Sequence, residues 1–329
     1  MSRAPRSATL ADVARAAGVS VATASRVLTG RGYASAYARA AVRRAAADLG
    51  YLPHPLAVSL SRGRGYRVVV GVVAPDPEML TDQYPTRVIS AVGQVVDEHQ
   101  MGVAARWLRP GETSQLAELA RDRSVHGLVL VNHTAELLDA LPPSLRGRVT
   151  VISPGFDRAQ SHDVDVTMAM ELRLRHLLTA GRRRIAMLAG PAWVPSLGLP
   201  VAVYRARMKE HGLPPRTVSV DRSLAGGRAG AQAVLRRWPD TDAIIAITDM
   251  VALGALTALA HRGARIPDDI AVAGFDDVPL AELGRPPLTT VTHPVEQVAT
   301  GAVRALFTGK VDPDDSVVHP VALVPRQSA

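Results

Sequence analysis

Ten arginines fall within the first 65 residues (Arg3, Arg6, Arg15, Arg26, Arg31, Arg39, Arg43, Arg44, Arg62 and Arg64) against two acids, Asp12 and Asp48. This fifth of the chain therefore carries the whole formal net charge of +8, and the remaining residues hold 28 basic and 28 acidic side chains. A compact basic module on a neutral body suits a polyanion, because each phosphate neutralised by an arginine releases condensed counterions. Arg is the general basic residue here, with lysine only at Lys209 and Lys310, which explains the choice of Arg but not the near-absence of acids. Within the module, the stretch from Val21 carries Ala22, Thr23, Ser25 and Arg26. Small hydroxyls suit phosphate oxygens, and Arg offers guanine a bidentate pair of donors.

Other chemistry is missing. The absence of cysteine removes disulfide frameworks, Cys-ligated zinc, iron–sulfur clusters and thiol nucleophiles together. No GxxxxGK[ST] phosphate loop, HExxH, GxSxG elbow or glycine-rich dinucleotide fingerprint occurs. The ten histidines show no metal-binding spacing, and isolated ones such as His126 and His176 read as structural. No metal, no cofactor and no catalysis is expected. The start carries Arg but no apolar core of a signal peptide, and no run of about 18 uncharged apolar residues follows, so a cytoplasmic chain without a membrane partner is expected.

Helix punctuation is dense where the arginines cluster. Thr9 with Asp12 three residues later reads as a capped helix start, with Leu10, Val13, Ala14 and Ala17 as its apolar stripe and Gly18 as its stop. Ser20 caps a second helix over Val21–Leu28, and Ser35 a third over Ala36–Leu49 that ends at Gly50. Two short helices about a glycine turn, closed by a third, make a helix-turn-helix with a core of Leu10, Val13, Val19, Val27, Leu28, Val42, Ala46 and Leu49. A protein-docking bundle of Ala-rich helices would read similarly but would not need the charge.

Beyond Arg62-Gly63-Arg64-Gly65 the pattern becomes short β-branched runs alternating with helical stretches. Strands are expected near Val68–Val73, Gly102–Leu108, Gly127–Val131, Val149–Ser153, Arg184–Ala189, Ala243–Ile247, Ile270–Gly274 and Val317–Val324. Helices are expected over Thr86–His99, Thr167–Ala180, Val201–His211, Arg228–Trp238 and Met250–His261. Apolar strands between amphipathic helices imply an α/β body of parallel sheets covered on both faces, with ligands at the strands' carboxyl ends. About 260 residues of this kind fit two lobes better than one sheet. The expected domains are residues 1–53, a hinge or linker over 54–66, and a body over 67–329.

The segment TLADVARAAGVSVATASRVLTG, followed by YASAYARAAVRRAAADLGYLPHPLAVSL, resembles the DNA-binding domain of the LacI/GalR (lac repressor/purine repressor) family of bacterial transcription regulators. By that resemblance Val21, Ala22 and Arg26 face bases, while Thr9, Leu10, Ser20, Thr23, Ser25 and Ser35 face the sugar-phosphate backbone. The stretch after Pro53-His54-Pro55 resembles the family's hinge helix, with Leu60 as the minor-groove wedge and Ala57 as its companion. His54 stands where the family usually has Asn, Val58 where it often has Arg, and Ala38 where it has Thr.

The resemblance continues through Asp165, His176-Leu177, Arg184-Ile185-Ala186, Asp249-Met250, Ile266-Pro267-Asp268-Asp269-Ile270, Gly274-Phe275-Asp276-Asp277 and Pro287-Leu288-Thr289-Thr290-Val291. It implies a two-lobed, periplasmic-binding-protein-like, doubly wound domain that binds a small-molecule effector, sugar-like or nucleoside-like, between its lobes. Carried over by position, Asp165, Thr248 and Asp276 face that cleft, and Trp193 joins them from its place after Gly190-Pro191. Carboxylates accept from vicinal hydroxyls and an aromatic stacks on a ring. Gly198 stands where the family has an effector-gripping Arg, Val166 where an Asn normally follows the Asp, and Thr248 where an Asn normally precedes Asp249. The expected protein is a homodimeric regulator, a repressor in its family's usual mode, on a near-palindromic double-stranded DNA operator. The alternative is a cytoplasmic sugar-binding protein without functional DNA binding.

Overall fold

Hydroxyl caps set the three amino-terminal helices α1 (Leu10–Ala16), α2 (Val21–Thr29) and α3 (Ala36–Asp48). The computed structural model describes residues 8–30, 33–52, 65–77, 80, 83–153, 157–309 and 311–329. The hinge residues His54, Ala57 and Leu60 lie outside the described residues. At α1, Thr9 Oγ1 accepts from Asp12 N (3.3 Å) while Thr9 N donates to Asp12 Oδ2 (3.0 Å), a capping box. Ser20 and Ser35 accept from the amides of Thr23 and Ala38, each at 3.1 Å. Thr9→Val, which keeps the shape and removes the hydroxyl, is expected to cost this unit about 1 kcal/mol in a urea melt followed by circular dichroism.

The exits are as ordered as the entrances. After α3 the chain enters the left-handed region at Gly50 (φ 58°), Gly50 N donates to Ala47 O (3.1 Å) and Tyr51 N to Ala46 O (2.8 Å). This reversal lays Tyr51 against the core of Val13, Ala14, Ala24, Val27, Val42, Ala45 and Ala46. It also corrects one expectation. Leu49, assigned to the core from the pattern, is 41% exposed, because it is the capping residue just before the reversal and Tyr51 takes its place.

The chain divides into two compact units, Met1–Tyr66 and Arg67–Ala329. In the second, β1 (Arg67–Val73), β2 (Gly102–Leu108), β3 (Val125–Val131), β4 (Val149–Ile152), β5 (Gln160–Val164) and β11 (Ser316–His319) form one sheet in the order β11-β5-β4-β3-β1-β2, parallel throughout. The run RVVVGVV in β1 is buried on both sides. Val68, Val70 and Val72 pack with helices α4 (Gln83–Glu98) and α12 (Val295–Thr308), while Val69 and Val73 join Leu116 and Leu119 of α5 (Ser114–Arg121) on the other face.

The second lobe repeats the plan with β6 (Ile185–Ala189), β7 (Arg216–Ser219), β8 (Ala243–Ala246) and β9 (Ala271–Ala273), ordered β7-β6-β8-β9 and again parallel. Its helices are α7 (Val166–Thr179), α8 (Gly198–Glu210), α9 (Leu224–Arg237) and α10 (Asp249–His261), with the short α6 (Ala135–Asp139) in the first lobe and α11 (Leu280–Leu283) in the second. A two-residue antiparallel pairing of β10 (Thr290–Val291) with β12 (Leu323–Val324) lies where the chain passes between the lobes. The single strand expected over 317–324 is therefore two: β11 ends at His319, and Pro320, which has no N–H to give a ladder, redirects the chain to β12 in a different sheet. Strands β5, β7 and β10 and helices α5, α6, α11 and α12 lie outside the expected set. Among the described residues no helix is long and apolar enough to cross a membrane, and no group of three or more His, Asp or Glu side chains is arranged to hold a metal.

Candidate nucleic-acid interface and ligand cavity

On α2 the buried Ala24 and Val27 turn one face inward, and helical spacing then presents Val21, Ala22 and Arg26 outward. Val21 is 49% exposed, unusual for a β-branched apolar side chain, and Arg26 makes no ion pair among the described residues. The surface of α2 thus offers a methyl-rich patch beside one guanidinium. Thr23 is half-buried with its hydroxyl 2.9 Å from that of Ser20, and Ser25 is half-buried with its carbonyl accepting from Thr29 Oγ1 (2.7 Å). Thr9 and Ser35 sit at the amino ends of α1 and α3, where free helix amides attract anions, and Leu10 packs against the core.

In the second unit, a cavity of about 100 Å³ opens at the carboxyl ends of strands from both sheets. Asn132 follows β3, Ser153 follows β4, Asp163 lies in β5, Arg222 follows β7, Ile247 and Thr248 follow β8, and Phe275 and Asp276 follow β9. Gln83, Tyr84 and Arg87 reach it from α4 and His293 from the turn before α12. Three of the lining residues are not glycine yet have left-handed backbones: Asn132 (φ 58°), Ser153 (φ 114°) and Asp276 (φ 115°). Such conformations cost on the order of 1–3 kcal/mol each and persist where surrounding structure holds side chains in place for function.

Polar groups here are partly unsatisfied by the protein. His293 Nδ1 lies 3.1 Å from Asp276 Oδ1, and since a carboxylate only accepts, the ring nitrogen is the donor. That leaves His293 Nε2 buried without a protein partner, as are Asn132 Nδ2 and Gln83 Oε1. Asn132 Oδ1 accepts from the Arg222 guanidinium at 3.4 Å, a contact that joins the two lobes. Asp163 accepts from Val164 N (2.8 Å), and burial pushes its carboxyl up to about 6. Burial likewise raises the Tyr84 hydroxyl. Arg87 grips Glu296 of α12 through Nε (2.7 Å) and a terminal nitrogen (2.8 Å) and is held charged by that pair.

Behind this surface a buried guanidinium and a buried carboxyl organise the strand ends. Arg173 of α7 is 2% exposed and donates to the carbonyls of Ala169 (3.0 Å), Ala246 (3.0 Å) and Gly274 (3.4 Å). Burial lowers it to about 10, against the pull of Asp249 and Asp276, so it stays charged at neutral pH. Asp249 is fully buried, accepting from Thr290 Oγ1 (2.6 Å) and Val278 N (2.9 Å), and burial with the nearby Asp276 pushes it up to about 7. Gly274 is required beside it, since a Cβ there would stand 2.1 Å from Asp249 Oδ1.

A carboxyl with its folded pKa above the unfolded value near 3.8 contributes stability at low pH that is lost as pH rises through about 7. Asp249→Asn removes that loss while keeping one oxygen for Val278 N and an amide for the Thr290 hydroxyl. The variant's stability relative to the parent is expected to climb between about pH 4 and pH 7 in parallel urea melts. A pH-independent difference would show that the carboxyl is ionised throughout that range.

Of the residues expected at the cleft, Thr248 and Asp276 line the cavity. Asp165 caps α7 instead, its Oδ1 accepting from Met168 N (2.8 Å), two residues beyond the lining Asp163. Trp193 is half-buried in the loop after β6 and is not among the lining residues. Gly198 opens α8 between the lining residues Leu197 and Leu199, and the cavity's guanidiniums come from Arg87, Arg173 and Arg222. Asp163 and Arg222 were not legible as site residues because they belong to or follow strands with no apolar run, and Asn132 and His293 because nothing local marks them.

The family of bacterial regulatory proteins, lacI family, matches residues 9–54, and the periplasmic binding protein-like domain matches residues 174–329. Over 97% of its length the chain is 33% identical to the HTH-type transcriptional regulator MalR of Streptomyces coelicolor, of which it covers 96%. It is 29% identical to the HTH-type transcriptional regulator CelR of Thermobifida fusca, with 98% of each chain covered. A solved complex of a transcriptional regulator CelR with cellobiose superposes with TM-score 0.72 at 27% identity, covering 98% of this chain and 100% of that one. The lac repressor dimer bound to operator and the anti-inducer ONPF superposes with TM-score 0.85 at 24% identity, covering 98% and 99%, and shows the same fold.

Proposed function

Since the chain belongs to the lacI family of bacterial regulatory proteins, and is thus a DNA-binding transcription regulator and not an enzyme, we propose that it represses transcription as a homodimer on a near-palindromic operator, under control of a sugar-like effector in its cavity. Val21, Ala22 and Arg26 read base edges in the major groove, while Thr9, Leu10, Ser20, Thr23, Ser25 and Ser35 position the unit on the backbone. Residues 1–53 form the reading domain. The stretch 54–66 connects it to the body, with His54, Ala57 and Leu60 meeting the minor groove between the half-sites. The work is done in the cytoplasm, where the operator is.

The observation that carries the effector part is the trio of buried, unpartnered polar atoms at the cavity: Asn132 Nδ2 as donor, Gln83 Oε1 and His293 Nε2 as acceptors. Hydroxyls are both donors and acceptors and satisfy all three. Thr248, Asp276, Asp163 and Arg222 supply the remaining polar contacts. Because the ligand touches both lobes, it binds one lobe arrangement better than another, and only such differential binding shifts DNA affinity. Support comes from CelR, solved with cellobiose, and from the lac repressor, solved on its operator.

The test is the affinity of the purified full-length chain for the duplex that it selects from a random DNA pool, measured with hexoses, pentoses, disaccharides and nucleosides added one at a time. One class is expected to change that affinity by about 5-fold or more. Cavity binding by a sugar with no change in DNA affinity would overturn the coupling.

A further inference from the structure

Helices α7 and α8 pack against each other in the second lobe, and their carboxyl-terminal halves leave a groove of about 550 Å³ between them. The groove shares no lining residue with the cavity between the lobes. Its floor is aliphatic. Leu174 is buried in the core of the lobe, whereas Leu178 and Leu213 pack on the edge of that core and are only half-buried. Apolar surface is therefore left open where a ligand could cover it.

Charged groups surround this floor unevenly. Its two carboxylates are both turned to one cation: Arg207 takes Glu171 through Nε (3.1 Å) and a terminal nitrogen, and Glu210 through the other (2.7 Å). Arg175 and Arg183 are exposed and make no ion pair among the described residues. Arg183 is nevertheless held in place, since its Nη1 donates to Leu178 O (2.7 Å) and Arg182 O (2.9 Å). That tether fixes the guanidinium at the lip of the groove and leaves its Nε and Nη2 to donate. Thr179 and His211 complete the lining.

A ligand that suits this groove has to answer the open leucines and the two unmatched cations together. A carboxylate accepts parallel donors from a guanidinium, and an apolar body removes leucine surface from water. A bare anion would leave the floor wet, and a neutral hydrocarbon would leave the cations unmatched. A single negative charge fits better than two, because Glu171 and Glu210 line the same groove and repel further charge.

We propose that the groove between α7 and α8 is a second ligand site, for a small carboxylic acid with an apolar alkyl or aryl body. The carboxylate meets Arg183, with Arg175 adding positive charge, and the body lies over Leu178 and Leu213. The site stands apart from the effector reading of the cavity between the lobes and does not rest on it.

Calorimetric titration of the full-length chain with octanoate, acetate and octanol tests this. Octanoate is expected to saturate a single site and to bind at least about tenfold tighter than acetate, which lacks the body, or octanol, which lacks the charge. Arg175→Gln combined with Arg183→Gln is expected to bring octanoate down to the affinity of octanol, in a variant shown to be folded by circular dichroism. Leu213→Ala is expected to weaken octanoate several-fold and to leave acetate as it was. Octanol binding as tightly as octanoate, or octanoate affinity unchanged by the double substitution, overturns the assignment. A groove covered in solution by a second copy of the chain would refuse octanoate altogether, and that result overturns it too.

Discussion

Arg173→Ala is expected to lower the unfolding free energy of the second unit by about 3–5 kcal/mol, the range for removing one partner from a buried charged network. The guanidinium satisfies carbonyls from α7 and from the ends of β8 and β9, and Asp249 and Asp276 both act on its charge. Without it those carbonyls lose the guanidinium as donor, and the buried positive charge that offsets Asp249 and Asp276 is gone. Asp249, already pushed up to about 7 with Asp276 among the causes, would then hold its proton to still higher pH. Urea unfolding of parent and variant at pH 6 and pH 8 measures both effects, with the larger loss expected at pH 8. A loss under about 1 kcal/mol at both values would mean that water replaces the guanidinium, and that it does not organise the cavity floor.

The second large effect is on DNA. Arg26→Ala is expected to cost about 1–3 kcal/mol of operator affinity and to relax base preference at one position in each half-site, as loss of a bidentate contact to guanine would. Its exposure on α2 means that stability should barely change. Ser20→Ala, in contrast, removes a helix cap and the proposed contact to the DNA backbone, and is expected to weaken binding to all sequences alike. Selection of bound sequences with each variant separates the two. An unchanged sequence preference for Arg26→Ala would remove that residue from the reading face.

Much of this organisation was legible before any coordinates. Caps at Thr9, Ser20 and Ser35 and reversals at Gly18 and Gly50 act over a few residues, so local chemistry alone places the helices. Strands such as Arg67–Val73 and Gly102–Leu108 announce themselves by β-branched or apolar runs. What escaped was specified by partners distant in sequence. Gln160–Val164 reads QSHDV and Arg216–Ser219 reads RTVS, yet each is a strand because a neighbour in the sheet offers it a ladder. Their side chains escaped with them: Asp163 lies in the first and Arg222 follows the second. Family position points to Asp165, two residues away, but at the turn into α7 its carboxylate accepts from Met168 N. Leu49 and Tyr51 show the same limit at short range, since a periodic pattern runs on through a reversal that in fact exchanges their places.

The central claim is that the basic first unit reads sequence, with charge supplying affinity and Val21, Ala22 and Arg26 supplying choice. Binding of the full-length chain to the duplex that it selects from a random DNA pool and to a scrambled duplex of the same length and composition, each titrated from about 50 to 200 mM salt, tests it most directly. The account predicts steep loss of affinity with salt on both duplexes, and at every salt concentration a preference of at least about a thousandfold for the selected duplex. Equal affinity for the two, at any salt concentration, would contradict it.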